Sequence, residues 1–331
     1  MELPISLREK INKKAEGKKQ SELVEISKEI SDRYINKSGQ GKRLVTKEDE
    51  ALVYSIARMP ATYGAVVTSL NWSLENFDEE INSVLDVGAG TGAASWAVSD
   101  VLNSNLQITC LEREEAMINL GKEYMKGEAT SLSNANWVKK DVSNTEINQN
   151  ADLVISSYML NEFNDEARLN AVQKLWNATN KLLVIIEPGT PESFRKMKKV
   201  REYLIECGGN VIAPCVHNQK CEVPENDWCQ FTCRISRTKL HKVLKGGDSP
   251  FEDEKFFYLA ISKGDNELLK EDTARVLRHP KIESGRITLK LCDKNGIYEK
   301  MITKKEKDFF KTARKIASGD LLNRRAKEDD I

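Results

Sequence analysis

The stretch Val84-Leu85-Asp86-Val87-Gly88-Ala89-Gly90-Thr91-Gly92 reads as a buried strand running straight into a glycine-rich turn. Glycines at every second position let the backbone turn sharply and approach a ligand where any Cβ would clash. Outward from this point the β-branched signature of residues 83–88 recurs at 106–112, 135–141, 151–157 and 181–187, with helix-length segments generally between. Five strands alternating with helices predict an α/β fold with a doubly wound, mainly parallel sheet. Residues 209–214 and 255–262 add two more strand candidates, for seven in all. Upstream, Leu23, Ile26, Ile30 and Tyr34 recur at the helix period, and Thr46 with Asp49 resembles a capping box ahead of Ala51. Arg58-Met59-Pro60 is expected to end that helix. The stretch 213–247 reads as irregular, residues 286–303 as a hairpin turning at Lys294-Asn295-Gly296, and the tail from Lys304 as a charged helix. The expected organisation is a helical region over 1–80, a domain over 81–263 with a Cys-rich loop at 213–235, and an extension over 264–331.

The composition, 40% hydrophobic and 31% charged, is that of a globular chain. Lys+Arg and Asp+Glu balance at 51 each, so bulk charge gives no argument for nucleic-acid binding and any basic face must be local. No apolar run approaches the roughly 20 residues of a membrane span. The start, MELPISLREKINKK, lacks a secretory core and carries acidic residues, so the expectation is a cytoplasmic protein, or a mitochondrial one if the source is a eukaryote. Seven cysteines without a secretory signal are expected to be reduced thiols, read as metal or catalytic chemistry before disulfides.

The glycine turn differs from the GxGxxG of dinucleotide sites. Its GxGxG after Asp86 resembles the first motif of S-adenosylmethionine (SAM) methyltransferases, so the expected fold is a doubly wound sheet of that type. Asp86, Gly88, Ala89, Gly90 and Gly92 would form the cofactor turn. Glu112, ending the next strand, would accept from both ribose hydroxyls, and Asp141 with Val142, ending the third, would read the adenine edge. A methyl acceptor is less legible. After the fourth strand the chain reads Ser156-Ser157-Tyr158-Met159-Leu160-Asn161-Glu162, without the Pro-Pro pair of base amino-methyltransferases. The Pro214-Cys215 dipeptide is misplaced for a cytosine-C5 nucleophile.

Cys215, Cys221, Cys229 and Cys233 fall within 19 residues, with Cys207 upstream, Cys292 in the hairpin and Cys110 in a core strand. Their CX5C, CX7C and CX3C spacings contain no paired zinc knuckle. An iron–sulfur cluster accepts less regular spacing, because each thiolate takes one corner of an inorganic core. Spacing alone leaves iron–sulfur, zinc and free thiols open, with His217 a further donor.

Six blocks then carry a family resemblance: Arg58-Met59-Pro60-Ala61-Thr62-Tyr63, LDVGAGTGAASWA, IIEPGTP, APCVHNQKC, DWCQFTCRISRTKLHK and FEDEKFFYLAIS. In this order, over residues 50 to 300, they resemble the ribosomal small-subunit-associated methyltransferase-like family, that of mitochondrial methyltransferase-like protein seventeen and its bacterial and archaeal relatives. The resemblance implies association with the small ribosomal subunit during assembly and a [4Fe–4S] cluster held by Cys215, Cys221, Cys229 and Cys292. It prefers Cys292 to the nearer Cys233, and leaves Cys233 and Cys207 as packing residues.

Positive charge collects on the helix after the fifth strand (Arg195, Lys196, Lys198, Lys199, Arg201), after the cysteine loop (Arg237, Lys239, Lys242, Lys245) and before the hairpin (Arg275, Arg278, Lys281). Arg195, Lys196, Lys199, Arg237, Lys239 and Lys242 are the expected contacts to rRNA phosphates. The resulting expectation is a SAM-binding assembly factor of the small subunit, with other assembly or initiation factors as further partners. Alternatives are an active rRNA methyltransferase with a structural iron–sulfur or zinc site, and a redox or iron sensor.

Overall fold

The computed structural model describes residues 1–37, 43, 45–264 and 273–323, with the side chains of 35–37 excepted. Three helices come first: α1 (Ile5–Ala15), α2 (Gln20–Lys37) and α3 (Glu48–Leu74). An alternating stretch follows, with β1 (Ser83–Val87), α4 (Ala93–Leu102), β2 (Gln107–Glu112), α5 (Glu115–Met125), β3 (Asn136–Lys139), β4 (Ala151–Ser157), α6 (Asp165–Ala178), β5 (Thr179–Pro188), α7 (Pro191–Glu206) and β6 (Asn210–Ala213). Then come β7 (Phe231–Ser236), α8 (Lys239–Lys245) and β8 (Phe251–Ser262). The last elements are β9 (Thr273–Val276), β10 (Lys281–Glu283), β11 (Arg286–Asp293), β12 (Gly296–Thr303), α9 (Lys307–Lys315) and β13 (Leu321–Asn323). The chain forms two compact units, Met1–Leu70 with Glu79–Glu187 and Cys233–Glu254, and Asn71–Asp78 with Pro188–Thr232 and Lys255–Ile331.

In the first unit β1 pairs in parallel with β2 and β4, β2 with β3, and β4 with β5, giving the order 3-2-1-4-5. This is the doubly wound sheet expected from the sequence, with the order reversing beside β1. β1 is buried from Val84 to Val87 because both sheet faces are covered, which is why it reads as a continuous apolar run. Two local expectations are corrected here. Pro60 does not end a helix: α3 runs through it, with Met59 and Ala61 fully buried on either side. Burial of a 27-residue helix outweighs the roughly 3 kcal/mol that an internal proline costs. The cap of α3 comes from Glu50, not Asp49, since its carboxylate accepts from the Thr46 and Lys47 amides at 2.8 and 3.1 Å.

In the second unit, the segment of β8 from Ala260 pairs antiparallel with β6. A five-stranded antiparallel sheet also forms, with β12 along one side of β11 and β10 and β9 along the other, and β13 on β9. The hairpin turns through Lys294-Asn295, with Asp293 opposite Gly296, whose φ of 109° only glycine adopts freely. One face of this sheet carries its own core of Ala274, Val276, Ile287, Leu289, Leu291, Ile302, Ala313 and Leu322, all at most 2% exposed. The stretch 213–247 is less irregular than expected, since β7 and α8 lie within it. The tail does form the helix α9, and residues 324–331 lie outside the described residues.

Candidate functional site

At the carboxyl ends of β1, β2 and β4 an open cavity is lined by Gly88, Gly90, Glu112, Asp141 and Val142. These five of the eight predicted cofactor residues meet there; Asp86, Ala89 and Gly92 are not among the lining and act behind it. Asp86 is fully buried and accepts from the Ser95 amide (3.1 Å) and hydroxyl (2.7 Å), tying the glycine turn to the first turn of α4. Burial pushes its carboxyl up to about 6. Gly92 caps α4 with φ 88°, against Met125 and Trp137. Glu112 holds the turn from the other side. Its carboxylate accepts from the amides of Gly90, Arg113 and Glu114, each at 2.8 Å. Asp141 accepts from the Ser143 amide and hydroxyl at 3.0 and 2.5 Å, which fixes the loop after β3.

Other lining residues carry no cofactor reading in the sequence. Tyr34 and Tyr54 stack at 6.1 Å and bring α2 and α3 to the cavity. Their helix-period spacing reads equally as core, so the sequence held no separate signal for them. Glu114 and Glu162 add two carboxylates to Glu112 and Asp141, so four acids face the cavity with the cations Arg113 and Lys140. Arg113 lies 3.5 Å from Glu162 and from Glu114. Burial, with Glu112 and Glu114 nearby, pushes the Glu162 carboxyl up to about 7. An acidic, partly enclosed pocket favours a cationic ligand.

Behind this wall Glu187 is fully buried and accepts from the Leu160 and Asn161 amides at 2.8 and 3.2 Å. Burial pushes its carboxyl up to about 8. A folded pKa above the unfolded value means the stabilisation is complete below about pH 4.5 and lost as pH rises through 8. The loss amounts to roughly 4 kcal/mol over that window. Urea melts at pH 5 and 8.5 should therefore show a markedly smaller pH dependence in Glu187→Gln than in wild type. Equal dependence in the two proteins would remove Glu187 from this role.

After β4, Tyr158 and Met159 line the same cavity. Tyr158 has φ 58°, rare for a bulky residue, and donates to Glu254 at 2.8 Å while Arg58 sits 5.5 Å over its ring and 3.2 Å from Glu254. Met159 packs against Gly88, where a Cβ would lie 2.7 Å from its sulfur.

In the second unit, a separate cavity is lined by Cys215, Cys221, Cys229 and Cys292, with His217, Lys198 and Arg201. Strand alternation explains Cys292: Leu291 points into the sheet's own core, so Cys292 points to the opposite face. Arg275, opposite Cys292 in the β9–β11 register, is fully buried and donates to Pro214 O (2.9 Å) and Gly319 O (2.7 Å). Arg278 and Lys290 both bond Asp227 at 2.6 Å, just before Trp228-Cys229. Burial pushes Cys292 up to about 12, with the Cys215 and Cys221 charges adding to it, and Cys229 is raised by burial and by the other three. His217 Nε2 lies 3.9 Å from the Cys292 sulfur. Among the described residues no group of three or more His, Cys, Asp or Glu side chains is arranged to hold a metal ion.

The remaining cysteines divide. Cys110 is fully buried beside Ser95 (3.2 Å), and Cys233 is buried. Cys207 is exposed at the end of α7, so it is not the packing residue expected.

The predicted phosphate contacts lie in both units. Arg195 and Lys199 are exposed on α7 and Lys196 pairs with Glu192 at 2.7 Å. Lys239 is exposed and Lys242 half-buried on α8, while Arg237 is committed to Glu252 at 2.9 Å. Arg201 and Arg275, counted in the sequence as surface charge, are buried.

The strand order and the glycine turn after β1 define a Rossmann-like fold of the methyltransferase type. A family model described as mitochondrial small ribosomal subunit Rsm22 matches residues 48–323, and the chain belongs to that family. It is 25% identical to the human mitochondrial ribosome assembly protein METTL17 over 297 residues, covering 83% of this chain and 63% of that protein. It is also 26% identical to the carboxy-S-adenosyl-L-methionine synthase of Helicobacter hepaticus over 144 residues, covering 43% and 59%. The chain thus spans less than two thirds of either relative. Among solved structures, magnesium protoporphyrin IX methyltransferase (ChlM) from Synechocystis with bound SAM is 12% identical at TM-score 0.41, covering 71% of this chain and 91% of that one. The plantazolicin methyltransferase BpumL with SAH is 13% identical at TM-score 0.42, covering 78% and 99%.

Proposed function

We propose that this protein is an assembly factor of the small ribosomal subunit that binds SAM, carries a [4Fe–4S] cluster and contacts rRNA. The observation that carries the reading is the acidic cavity at the strand ends, where the amide-bonded Glu112 stands beside the glycine turn. Such a carboxylate can accept from vicinal ribose hydroxyls, and four acids suit a ligand bearing a sulfonium and an ammonium. Family membership and the relation to a human ribosome assembly protein support the partner. Binding without chemistry is the first reading because the segment after β4 carries no Pro-Pro pair and its Tyr158 hydroxyl is engaged with Glu254. An active rRNA methyltransferase is the second reading. A methylation map of small-subunit rRNA from a deletion strain separates the two. No missing modification supports binding alone; one modification restored by wild type and not by Glu112→Ala establishes methyl transfer.

We read the cysteine cavity as the seat of the iron–sulfur cluster. Four thiols from three loop positions and a distant strand share one cavity, and a cubane would take one thiolate at each corner. Burial, and after it the neighbouring thiolates, raise Cys221, Cys229 and Cys292, so ionising them together is helped by the positive charge that bound iron would supply. Lys198 and the buried Arg201, both lining the cavity, would offset the net negative charge of the ligated cluster. Zinc remains the alternative metal. Cys221→Ser, purified anaerobically beside wild type, is expected to lose its iron and acid-labile sulfide while still binding SAM. Unchanged iron would remove Cys221 as a ligand. The protein would act in the cytoplasm, or in mitochondria if its source is a eukaryote. Among the described residues no helix is long and apolar enough to cross a membrane.

A further inference from the structure

Residues 273–323 carry 13 Lys/Arg against six Asp/Glu, in a chain whose totals balance at 51 each. Charge is therefore segregated into the small antiparallel sheet and its helix. Much of this positive charge is already engaged: Arg275 is buried, Arg278 and Lys290 bond Asp227, and Lys281 and Arg286 lie 3.7 and 2.6 Å from Glu283. The remainder lies mostly along one segment. α9 buries Ala313 and packs Phe309 and Phe310 against the core of β9, β11 and β12. Its opposite face carries Lys307, Lys311, Arg314 and Lys315, spaced by four, three and one residues and all exposed. The exposed Lys304 and Lys305 precede them on the turn leading into the helix. Lys311 pairs with Asp308 at 2.7 Å, an exposed pair of small energy. Among the described residues, Lys304, Lys305, Lys307, Arg314 and Lys315 form no ion pair.

We infer that the outward face of α9, with Lys307, Lys311, Arg314 and Lys315 at its centre, is a docking surface for the phosphate backbone of RNA. The inference rests on the rRNA reading above and gives it a place that the sequence reading did not. Cations recurring about every 5.4 Å along a helix match a partner whose negative charges also repeat regularly. A membrane surface fits less well, because the apolar face of α9 is already buried in its own unit and is not available for insertion. Such contacts carry affinity without reading sequence.

The test uses the full chain, an in-vitro transcript of small-subunit rRNA and phosphatidylserine vesicles as probes. Binding is measured from 50 to 200 mM salt for wild type, for Lys307→Gln/Lys311→Gln/Arg314→Gln/Lys315→Gln, and for Arg195→Gln/Lys199→Gln on α7. Glutamine keeps helix propensity, and thermal melts check that the stripe variant folds. Loss of three or four phosphate contacts is expected to weaken RNA binding roughly 30-fold at low salt and lower the salt slope by about three. That result, with the α7 variant less affected, supports the surface. Equal affinity and slope in wild type and stripe variant overturn it while leaving the rRNA reading intact. No binding by wild type overturns the rRNA reading and the surface together. A stripe variant that loses vesicle binding but keeps RNA binding overturns the surface in favour of a membrane.

Discussion

Glu112→Ala is expected to raise the dissociation constant for SAM more than about 100-fold. The carboxylate has two tasks. It is aligned by three backbone amides, one of them the Gly90 amide in the glycine turn, and its exposed edge faces the cavity where ribose hydroxyls would donate to it. Two hydrogen bonds to a charged acceptor are worth roughly 1.5–3 kcal/mol each, and every 1.4 kcal/mol is tenfold in affinity. Removal also leaves three amides in a site only 8% exposed without their acceptor, at about 1 kcal/mol or more apiece. The variant should therefore melt several degrees lower even without ligand. Calorimetric titration with SAM and with SAH gives the first number. A melt with and without ligand gives the second, since a ligand at 100 times its Kd stabilises by about 2.7 kcal/mol and the variant should show no such shift. Iron content should stay at the wild-type level, because the cysteine cavity lies in the other unit. Wild-type SAM affinity in Glu112→Ala would remove Glu112 from the cofactor site.

Arg275→Met is expected to cost about 3–5 kcal/mol, the range for breaking a buried polar network around a charged group. Methionine fills similar volume, so the loss reads the hydrogen bonds rather than a cavity. The guanidinium bonds Pro214 O on the residue before Cys215, and Gly319 O just before β13, while it stands opposite Cys292 on the neighbouring strand. Both carbonyls would be left without this donor. The expected loss in melting temperature is roughly 10 °C. Because Arg275 joins the loop that carries Cys215 to the strand beside Cys292, iron retention after anaerobic purification should fall as well, although no thiol has been removed. Arg275→Lys should recover little, because one ammonium lacks the planar fork that reaches two carbonyls. Full iron and an unchanged melt in Arg275→Met would separate the cysteine loop from this residue.

These two residues differ in how far the sequence reveals them. Glu112 is legible because strand ends in a doubly wound sheet are where ligands bind, and β2 announces its own end. Asp86 reads as a ligand residue because it precedes the glycine turn, yet its side chain turns inward to Ser95 instead of into the cavity. Arg275 in the sequence is one of three basic residues ahead of a hairpin and reads as surface charge. Only the β9–β11 register puts it on the cysteine-bearing face, where neighbouring carbonyls satisfy it. Likewise Pro60 carries a strong local stop signal that burial of the surrounding α3 overrides.

The sequence by itself determined the parallel sheet, the glycine turn, the hairpin and the family, because each rests on local periodicity, turn chemistry or a string of short blocks. The tertiary structure alone decided what those elements bring together. Cys292 meets the loop cysteines because side chains alternate across β11 and its other face is filled by Leu291 and the core beneath. The acidity of the cavity comes from Glu112 and Glu114 at the β2–α5 turn, Asp141 after β3 and Glu162 after β4. Spacing along a chain constrains neighbours within a few residues. Pairing between distant strands is set by which faces can be buried at once, and that is a property of the packed molecule.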